Sequence, residues 1–388
     1  MKHKYICLNP IAACGLDMLP ADYEKTETME EADAVLVRSA SMHEMEFSNQ
    51  LKAVARAGAG VNNIPLDKCA EQGIVVFNTP GANANGVKEL IIAALILGSR
   101  DLKGGMQWVD ENKEDENILK NMEKAKSKYA GKEIQGKKLG VIGLGAIGVL
   151  VANAANRLGM EVIGCDPFLS VEHALNMSRD IKVVKTREEI FKECDYITLH
   201  VPLLDDTKEM INTETIEMMK QGVVILNFAR DLLVNEDALE AALKSGKIAK
   251  YLTDFPTKRV ANLENVIAFP HLGATTEESE DNCAMMAAKE ITEFLEHGNI
   301  KNSVNYPSCN AGVCETAGRI AICHKNVPNM LTQFTKAFSD LGINIENMTN
   351  KSRGNYAYSV LDIAEAVSEE TAQKISGIKG VLKVRVIK

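Results

Sequence analysis

Residues 138–158 decide the fold: Lys138-Leu-Gly-Val-Ile142, then Gly143-Leu-Gly145-Ala146-Ile147-Gly148, then Val149-Leu-Val-Ala-Asn-Ala-Ala-Asn-Arg-Leu158. The first segment is an apolar run of strand length, and the last has the spacing of a helix. Between them stands Gly-x-Gly-x-x-Gly. Alone that pattern is weak, because glycine turns recur by chance. Between a strand and a helix it is the loop that turns tightly and brings backbone close to a pyrophosphate at a helix N-terminus. The next apolar run, Glu161–Cys165, is followed by Asp166. A carboxylate there accepts hydrogen bonds from ribose hydroxyls and repels a 2′-phosphate, so the expected cofactor is NAD rather than NADP.

Outward from this loop, apolar runs at Leu139–Ile142, Glu161–Cys165, Tyr196–Val201, Val223–Leu226, Ala249–Leu252 and Val266–Phe269 read as six buried parallel strands. Helix-like stretches such as Val149–Leu158 and Glu236–Lys244 separate them, predicting a doubly wound sheet over 99–274. Upstream, Tyr5–Leu8, Ala34–Val37, Ala53–Ala57 and Ile74–Phe77 with a helix at Val87–Gly98 predict a smaller parallel α/β domain over 1–98. Residues 101–136, polar and lysine-rich, read as a solvated surface segment at the boundary. Residues 275–297 read as one long helix capped by Thr275 or Thr276, followed by a linker around 298–317. The tail alternates strand, helix, strand, strand, helix, strand: Arg319–His324, Met330–Leu341, Ile345–Thr349, Tyr356–Ile363, Glu369–Ile375 and Val381–Ile387. The fold class is therefore α/β, in three domains.

Composition narrows the partners. Over 388 residues the net charge is −9, so the overall field disfavours nucleic acid and anionic membranes, and an anionic substrate needs local cations. Nine cysteines with no C-x-x-C pair point away from a disulfide framework and from a metal site, toward a reducing compartment. The N-terminal apolar stretch is cut by Pro10 and Asp17, unlike a signal peptide, and no run approaches the roughly 18 apolar residues of a membrane span. A cytoplasmic protein is expected.

Three polar residues follow strand C-termini in the second half of the large sheet: Arg230, Asp254 and His271. Ligands of open α/β sheets bind at that edge. Hydride transfer from a hydroxyl carbon needs a base for the hydroxyl proton, a role that suits His271, whose imidazole titrates near working pH. A carboxylate substrate needs a planar cation, which suits Arg230.

Together, Gly143–Gly148, Cys165-Asp-Pro167, Leu199-His-Val-Pro-Leu203, Asn227-Phe-Ala-Arg230 and Pro270-His-Leu-Gly-Ala-Thr-Thr276 resemble the D-isomer-specific 2-hydroxyacid dehydrogenase family. Within it, Val37-Arg-Ser39, Ala55-Arg-Ala-Gly-Ala-Gly-Val-Asn-Asn-Ile64 and Asn78-Thr-Pro-Gly-Ala-Asn-Ala-Asn85 resemble the substrate-domain motifs of members acting on 3-phosphoglycerate. The resemblance runs through essentially the whole chain. It implies a flavodoxin-like substrate domain completed by 275–305, a Rossmann NAD-binding domain over 99–274, and NAD-dependent oxidation of 3-phosphoglycerate.

By the same resemblance, Arg230 binds the carboxylate and His271 is the general acid/base. Arg38 and Ser39 lie near the phosphate, and Gly58, Ala59, Gly60 and Val61 hold the substrate through backbone. The glycine loop with Ala146, Ile147, Asp166, His200, Pro202, Thr207, Phe228, Ala229, Asp254 and Gly273 is implied to form the NAD site. One departure stands out. The family follows this strand end with a Glu-Pro pair whose Glu orients the histidine; here Asp254-Phe-Pro-Thr-Lys258-Arg259 is one residue shorter. Two expectations stay open: another carboxylate substitutes, or Arg230 and His271 work alone. Glu264, close in sequence, matches a non-catalytic position.

The tail, 317–388, resembles an ACT regulatory domain. His324-Lys-Asn326-Val-Pro328 and Asn344 resemble its effector motif, which implies L-serine bound between paired tails of a homodimer or homotetramer. Asn329 stands where the family has glycine, and asparagine tolerates left-handed backbone. Alternative readings are a glyoxylate or hydroxypyruvate reductase, a non-catalytic NAD-sensing protein, and an amino-acid-binding regulator with a vestigial core.

Overall fold

A computed structural model describes residues 3–388, which divide into two compact units. One comprises 84–276; the other joins the chain up to Asn83 to Glu277–Lys388.

In the second of these, strands β1 (His3–Cys7), β2 (Tyr23–Lys25), β3 (Ala34–Val37), β4 (Ala53–Arg56) and β5 (Val75–Asn78) form a parallel sheet in the order β2-β1-β3-β4-β5. That is the flavodoxin-like order. Ala34–Val37 is buried at every position, as a strand covered on both faces must be. β2, three residues long at the sheet edge, adds a strand that the apolar pattern did not show.

The unit 84–276 holds β6 (Lys138–Ile142), β7 (Glu161–Cys165), β8 (Lys182–Val184), β9 (Tyr196–Leu199), β10 (Val223–Asn227), β11 (Ile248–Thr253) and β12 (Val266–Ala268). All are parallel, in the order β12-β11-β10-β9-β6-β7-β8. The order reverses between β6 and β9, which creates the crevice where a doubly wound sheet takes its ligand. Seven strands stand where six were expected; β8 is a short edge strand with one buried residue.

The helix Ala84–Ser99 belongs to this unit, packing on the helix Ala146–Arg157 and on β10 and β11, so the boundary falls before it rather than after residue 98. Residues 101–136 contain the helices Leu102–Asn112 and Ile118–Ala125, neither with a buried residue: the segment is helical as well as solvated.

After the helix Glu277–His297, the tail forms β13 (Gly318–Lys325), β14 (Ile345–Arg353), β15 (Tyr356–Ile363) and β16 (Val381–Val386), an antiparallel sheet in the order β14-β15-β13-β16. Two helices, Met330–Asp340 and Glu369–Ser376, complete a βαββαβ pattern. Ile320, Ile322, Leu361 and Ile363 face those helices. The opposite face, with Ala321, Cys323, Tyr358 and Val360, closes on Phe294, Phe77 and Tyr306. Alternation along the strands thus buries both faces. Arg385 donates to Phe294 O and Leu295 O, and Tyr358 Oη donates to Gly298 O, so the tail grips the C-terminal end of the helix Glu277–His297.

Candidate active site

Each glycine of the loop has its own physical reason. Gly143 has φ +94°, and a Cβ there would sit 2.5 Å from His200 O. A Cβ on Gly148 would sit 1.9 Å from Gly143 O, so only glycine lets the helix approach the strand this closely. Gly145 has nothing within 4 Å of its Cβ position, leaving room for a ligand. It is the N-cap of the helix Ala146–Arg157 and makes no side-chain cap, so Ala146, Ile147 and Gly148 head the helix with backbone donors free for an anion. Asp166 closes the loop from behind: Oδ2 accepts from Leu144 N and Oδ1 from Phe168 N, both at 2.8 Å. These features fit a dinucleotide.

The neighbouring turn is pinned internally. Thr207 Oγ1 donates to Pro202 O at 2.6 Å and accepts from Leu204 N at 2.8 Å. His200 N donates to Ile142 O, and its ring meets Thr198 Oγ1 at 3.0 Å; burial pushes the imidazole down to about 3, so it stays neutral. Phe228, buried, lies 5.7 Å from the Phe269 ring.

Arg230 and His271 are both exposed, after the C-termini of β10 and β12. Asn227, fully buried, shapes the turn that carries Arg230. Its Oδ1 accepts from Ala229 N and Arg230 N, and its Nδ2 donates to Arg230 O and to Tyr251 Oη. Asp254 shapes the turn that carries His271: Oδ1 accepts from Leu272 N at 2.7 Å and Oδ2 from Gly273 N at 2.8 Å. His271 itself has φ +57°. Phe255 lies against both side chains, 4.5 Å from the His271 ring centroid and 5.7 Å from the Arg230 guanidinium carbon.

Where Glu-Pro was expected, Arg259 is turned away onto Asp237 (2.6 Å) and Glu240, and Lys258 is exposed. Among the described residues no carboxylate forms an ion pair with His271.

In the other unit, Asn9 Oδ1 accepts from Arg38 N, Ser39 N and Ala40 N, holding that loop. The Arg38 guanidinium pairs with Glu280 at 2.6 Å. Gly58 N donates to Thr79 Oγ1 at 2.7 Å, Asn78 Nδ2 donates to Ala59 O, and Gly60 and Val61 are partly exposed. In the tail, His324 is buried, its ring held by Lys325 O, Asn350 Oδ1 and Ser359 Oγ; burial pushes its pKa down. Asn326 donates to Gly354 O. Asn344 lines an open hollow of about 420 Å³ with Thr335, Ser339, Gly342 and Ile343, whose walls do not include His324 or Asn326. Asn329 takes the left-handed conformation, φ +67°.

Asn227, Phe255, Asn9 and Thr79 were not singled out from the sequence. Asn227 and Thr79 sit inside motifs already quoted, and an amide three residues before Arg230 was the available signal. Phe255 and Asn9 offered none.

A strand-loop-helix with this glycine geometry, in a sheet of this order, defines a dinucleotide-binding core. The family described as D-isomer specific 2-hydroxyacid dehydrogenase, NAD binding domain, matches residues 92–273. The chain is 36% identical over 294 residues to a D-3-phosphoglycerate dehydrogenase of Methanocaldococcus jannaschii, covering 74% of this chain and 54% of that one, about half its length. It is 36% identical over 300 residues to a hydroxypyruvate reductase of Thermotoga maritima, 72% of this chain and 91% of the relative. The NAD+-bound crystal structure of a 3-phosphoglycerate dehydrogenase in Entamoeba histolytica superposes with a TM-score of 0.62 at 31% identity, covering 79% of this chain and 99% of that one. The chain belongs to the D-isomer specific 2-hydroxyacid dehydrogenase family, and its cofactor is NAD.

Proposed function

We propose that this NAD-dependent dehydrogenase oxidises 3-phosphoglycerate to 3-phosphohydroxypyruvate, the opening step of serine synthesis, in the cytoplasm. The observation that carries the reading is the pair Arg230 and His271, set side by side on Phe255 beyond the sheet edge that the glycine loop also borders. NAD, when bound, supplies the acceptor for the hydride leaving substrate C2. His271 takes the hydroxyl proton on an imidazole nitrogen. Arg230 holds the carboxylate and polarises the forming carbonyl. Asp166 favours ribose hydroxyls over a 2′-phosphate. Arg38 and Ser39 receive the substrate phosphate, and Gly58, Ala59, Gly60 and Val61 its remaining oxygens. The likeness to proteins named for 3-phosphoglycerate supports this substrate, and the nine free cysteines support a reducing compartment.

The test is the initial rate of NADH formation from 3-phosphoglycerate at alkaline pH, with His271→Ala as control. Robust turnover lost in the variant supports the reading; no turnover with NADH still bound overturns it. Reduction of hydroxypyruvate is a second reading, favoured by the Thermotoga maritima relative, and reversing the assay with hydroxypyruvate or glyoxylate distinguishes it.

The tail we read as an ACT domain that takes L-serine at Asn344, in a homodimer or homotetramer. Its βαββαβ order and the hollow beside Asn344 support this. The burial of His324 favours a supporting role for that ring rather than contact with the effector. Equal activity with and without millimolar serine would sink the regulatory part.

A further inference from the structure

We infer that Phe255 is a positioning residue for both Arg230 and His271, fixing the imidazole where no carboxylate does so. The inference rests on the roles proposed above for those two residues. The Phe255 and His271 rings are tilted at 50° with centroids 4.5 Å apart, and the Arg230 guanidinium carbon lies 5.7 Å from the Phe255 centroid. Both separations suit attraction: aromatic pairs favour roughly 4.5–7 Å, and cations bind a ring within about 6 Å. One side chain therefore sets the spacing of the pair.

The platform is itself held. Phe255 N donates to Thr253 Oγ1 at 3.1 Å, and Pro256 restricts the residue before it to extended backbone. Phe255 is half-buried.

The two neighbours divide the task. Asp254 fixes the main chain after His271 through Leu272 N and Gly273 N, holding a left-handed residue that is not glycine. Phe255 fixes the ring. Arg259, near the position expected to supply the orienting acid, is instead engaged by Asp237 and Glu240.

An aromatic ring differs from a carboxylate in what it supplies. It restricts the imidazole plane without adding a fixed negative charge. Its π-system lies 4.5 Å from the His271 ring and 5.7 Å from the Arg230 guanidinium carbon, so it attracts both groups once His271 has taken a proton.

The experiment compares full-length wild type with Phe255→Met, Phe255→Tyr and His271→Ala, using whichever of 3-phosphoglycerate or hydroxypyruvate the wild type turns over. Met keeps the apolar bulk without the ring. The expected result is a ~10- to 100-fold fall in kcat for Phe255→Met, the scale of a small misplacement of reacting groups. NADH affinity stays within about twofold, and the isotope effect from deuterium at the transferred position rises. Phe255→Tyr, which restores the ring, returns kcat to within a few-fold of wild type. Unchanged kcat in Phe255→Met, or no recovery in Phe255→Tyr, overturns the inference while leaving His271 in its role. Full activity in His271→Ala overturns the underlying reading instead. Should the Met variant not fold, Phe255→Leu is judged by the same readouts.

Discussion

Asp254 Oδ2 lies 2.8 Å from Gly273 N, and a Cβ on Gly273 would stand only 3.0 Å from that oxygen. Carboxylate and glycine are matched: the close approach gives a short charge-assisted bond, and its companion to Leu272 N completes the clamp. Removing the acid strands a buried donor. Asp254→Ala is expected to cost about 1–3 kcal/mol in denaturant unfolding. It is also expected to lower kcat by ~10-fold or more, since His271 loses its backbone support. Asp254→Asn, which keeps one acceptor oxygen, should fall between. Wild-type kcat in Asp254→Ala would show that the loop holds His271 without it.

Two of the loop glycines, Gly148 and Gly145, should separate by readout. Gly148→Ala forces a Cβ into Gly143 O and is expected to lower Tm by several degrees and abolish NADH binding together. Gly145→Ala meets nothing in the protein, so Tm should hold while NADH affinity drops, because the methyl enters the space the pyrophosphate needs. NADH fluorescence titration and thermal melts on the two variants check this; equal affinity in Gly145→Ala would move the pyrophosphate elsewhere.

Legibility in the sequence followed the range of the interactions. The loop and β6 were readable because their chemistry is local: a buried strand, three spaced glycines and a helix within one short stretch. β2 and β8 were not, because edge strands of three residues with a single buried position leave no apolar period. The helices Leu102–Asn112 and Ile118–Ala125 bury nothing, so their composition resembled a solvated linker. Arg230 and His271 stood out as polar groups just beyond apolar strands. Phe255 did not, since a lone aromatic after a strand has no period to mark it, and its importance arises only where β10 and β12 bring two other loops beside it.

The tail is fixed by a contact that no local pattern foretold. Arg319, with no exposed surface, donates through Nε and Nη2 to Asp362 and through Nη1 and Nη2 to His297 O, Gly312 O and Ala311 O. Truncating one partner leaves a buried charge, so Arg319→Ala is expected to cost about 3–5 kcal/mol, whereas Arg319→Met with Asp362→Leu should recover only part of it, because the three carbonyls still lack their donor. Chemical denaturation of the three proteins checks the ordering. If Arg319→Ala is as stable as wild type, the buried pair contributes nothing to holding the tail.

Arg38 and Glu280 carry a test of the substrate. Their ion pair is half-exposed on both sides, so it contributes at most about 1 kcal/mol to folding, but Glu280 competes for the guanidinium assigned to the phosphate. Glu280→Gln should lower KM for 3-phosphoglycerate a few-fold. Arg38→Ala should raise it by ~10-fold or more, on the scale of a charged hydrogen bond. Hydroxypyruvate, which lacks the phosphate, should respond to neither. Parallel shifts for both substrates would remove Arg38 from phosphate recognition.

Glu290 supplies a pH dependence. It is buried on the helix Glu277–His297, with Oε1 accepting from Asn302 Nδ2 at 2.6 Å and Oε2 without a partner. Burial pushes its carboxyl from the ordinary 4.5 up to about 8, against smaller opposing effects of Asn302 and Lys301. The folded protein therefore holds a proton that the unfolded chain releases above about 4.5. The stability this proton brings is complete below that pH, declines as pH rises, and is gone above about 8. At ~1.4 kcal/mol per pKa unit the swing amounts to a few kcal/mol. Glu290→Gln, fixed in the neutral form, should match wild type near pH 4.5 and then gain on it steadily, reaching its full advantage by about pH 8. Urea midpoints for the two proteins across that range decide the point, and a constant difference at every pH would mean that Glu290 titrates as an ordinary surface acid.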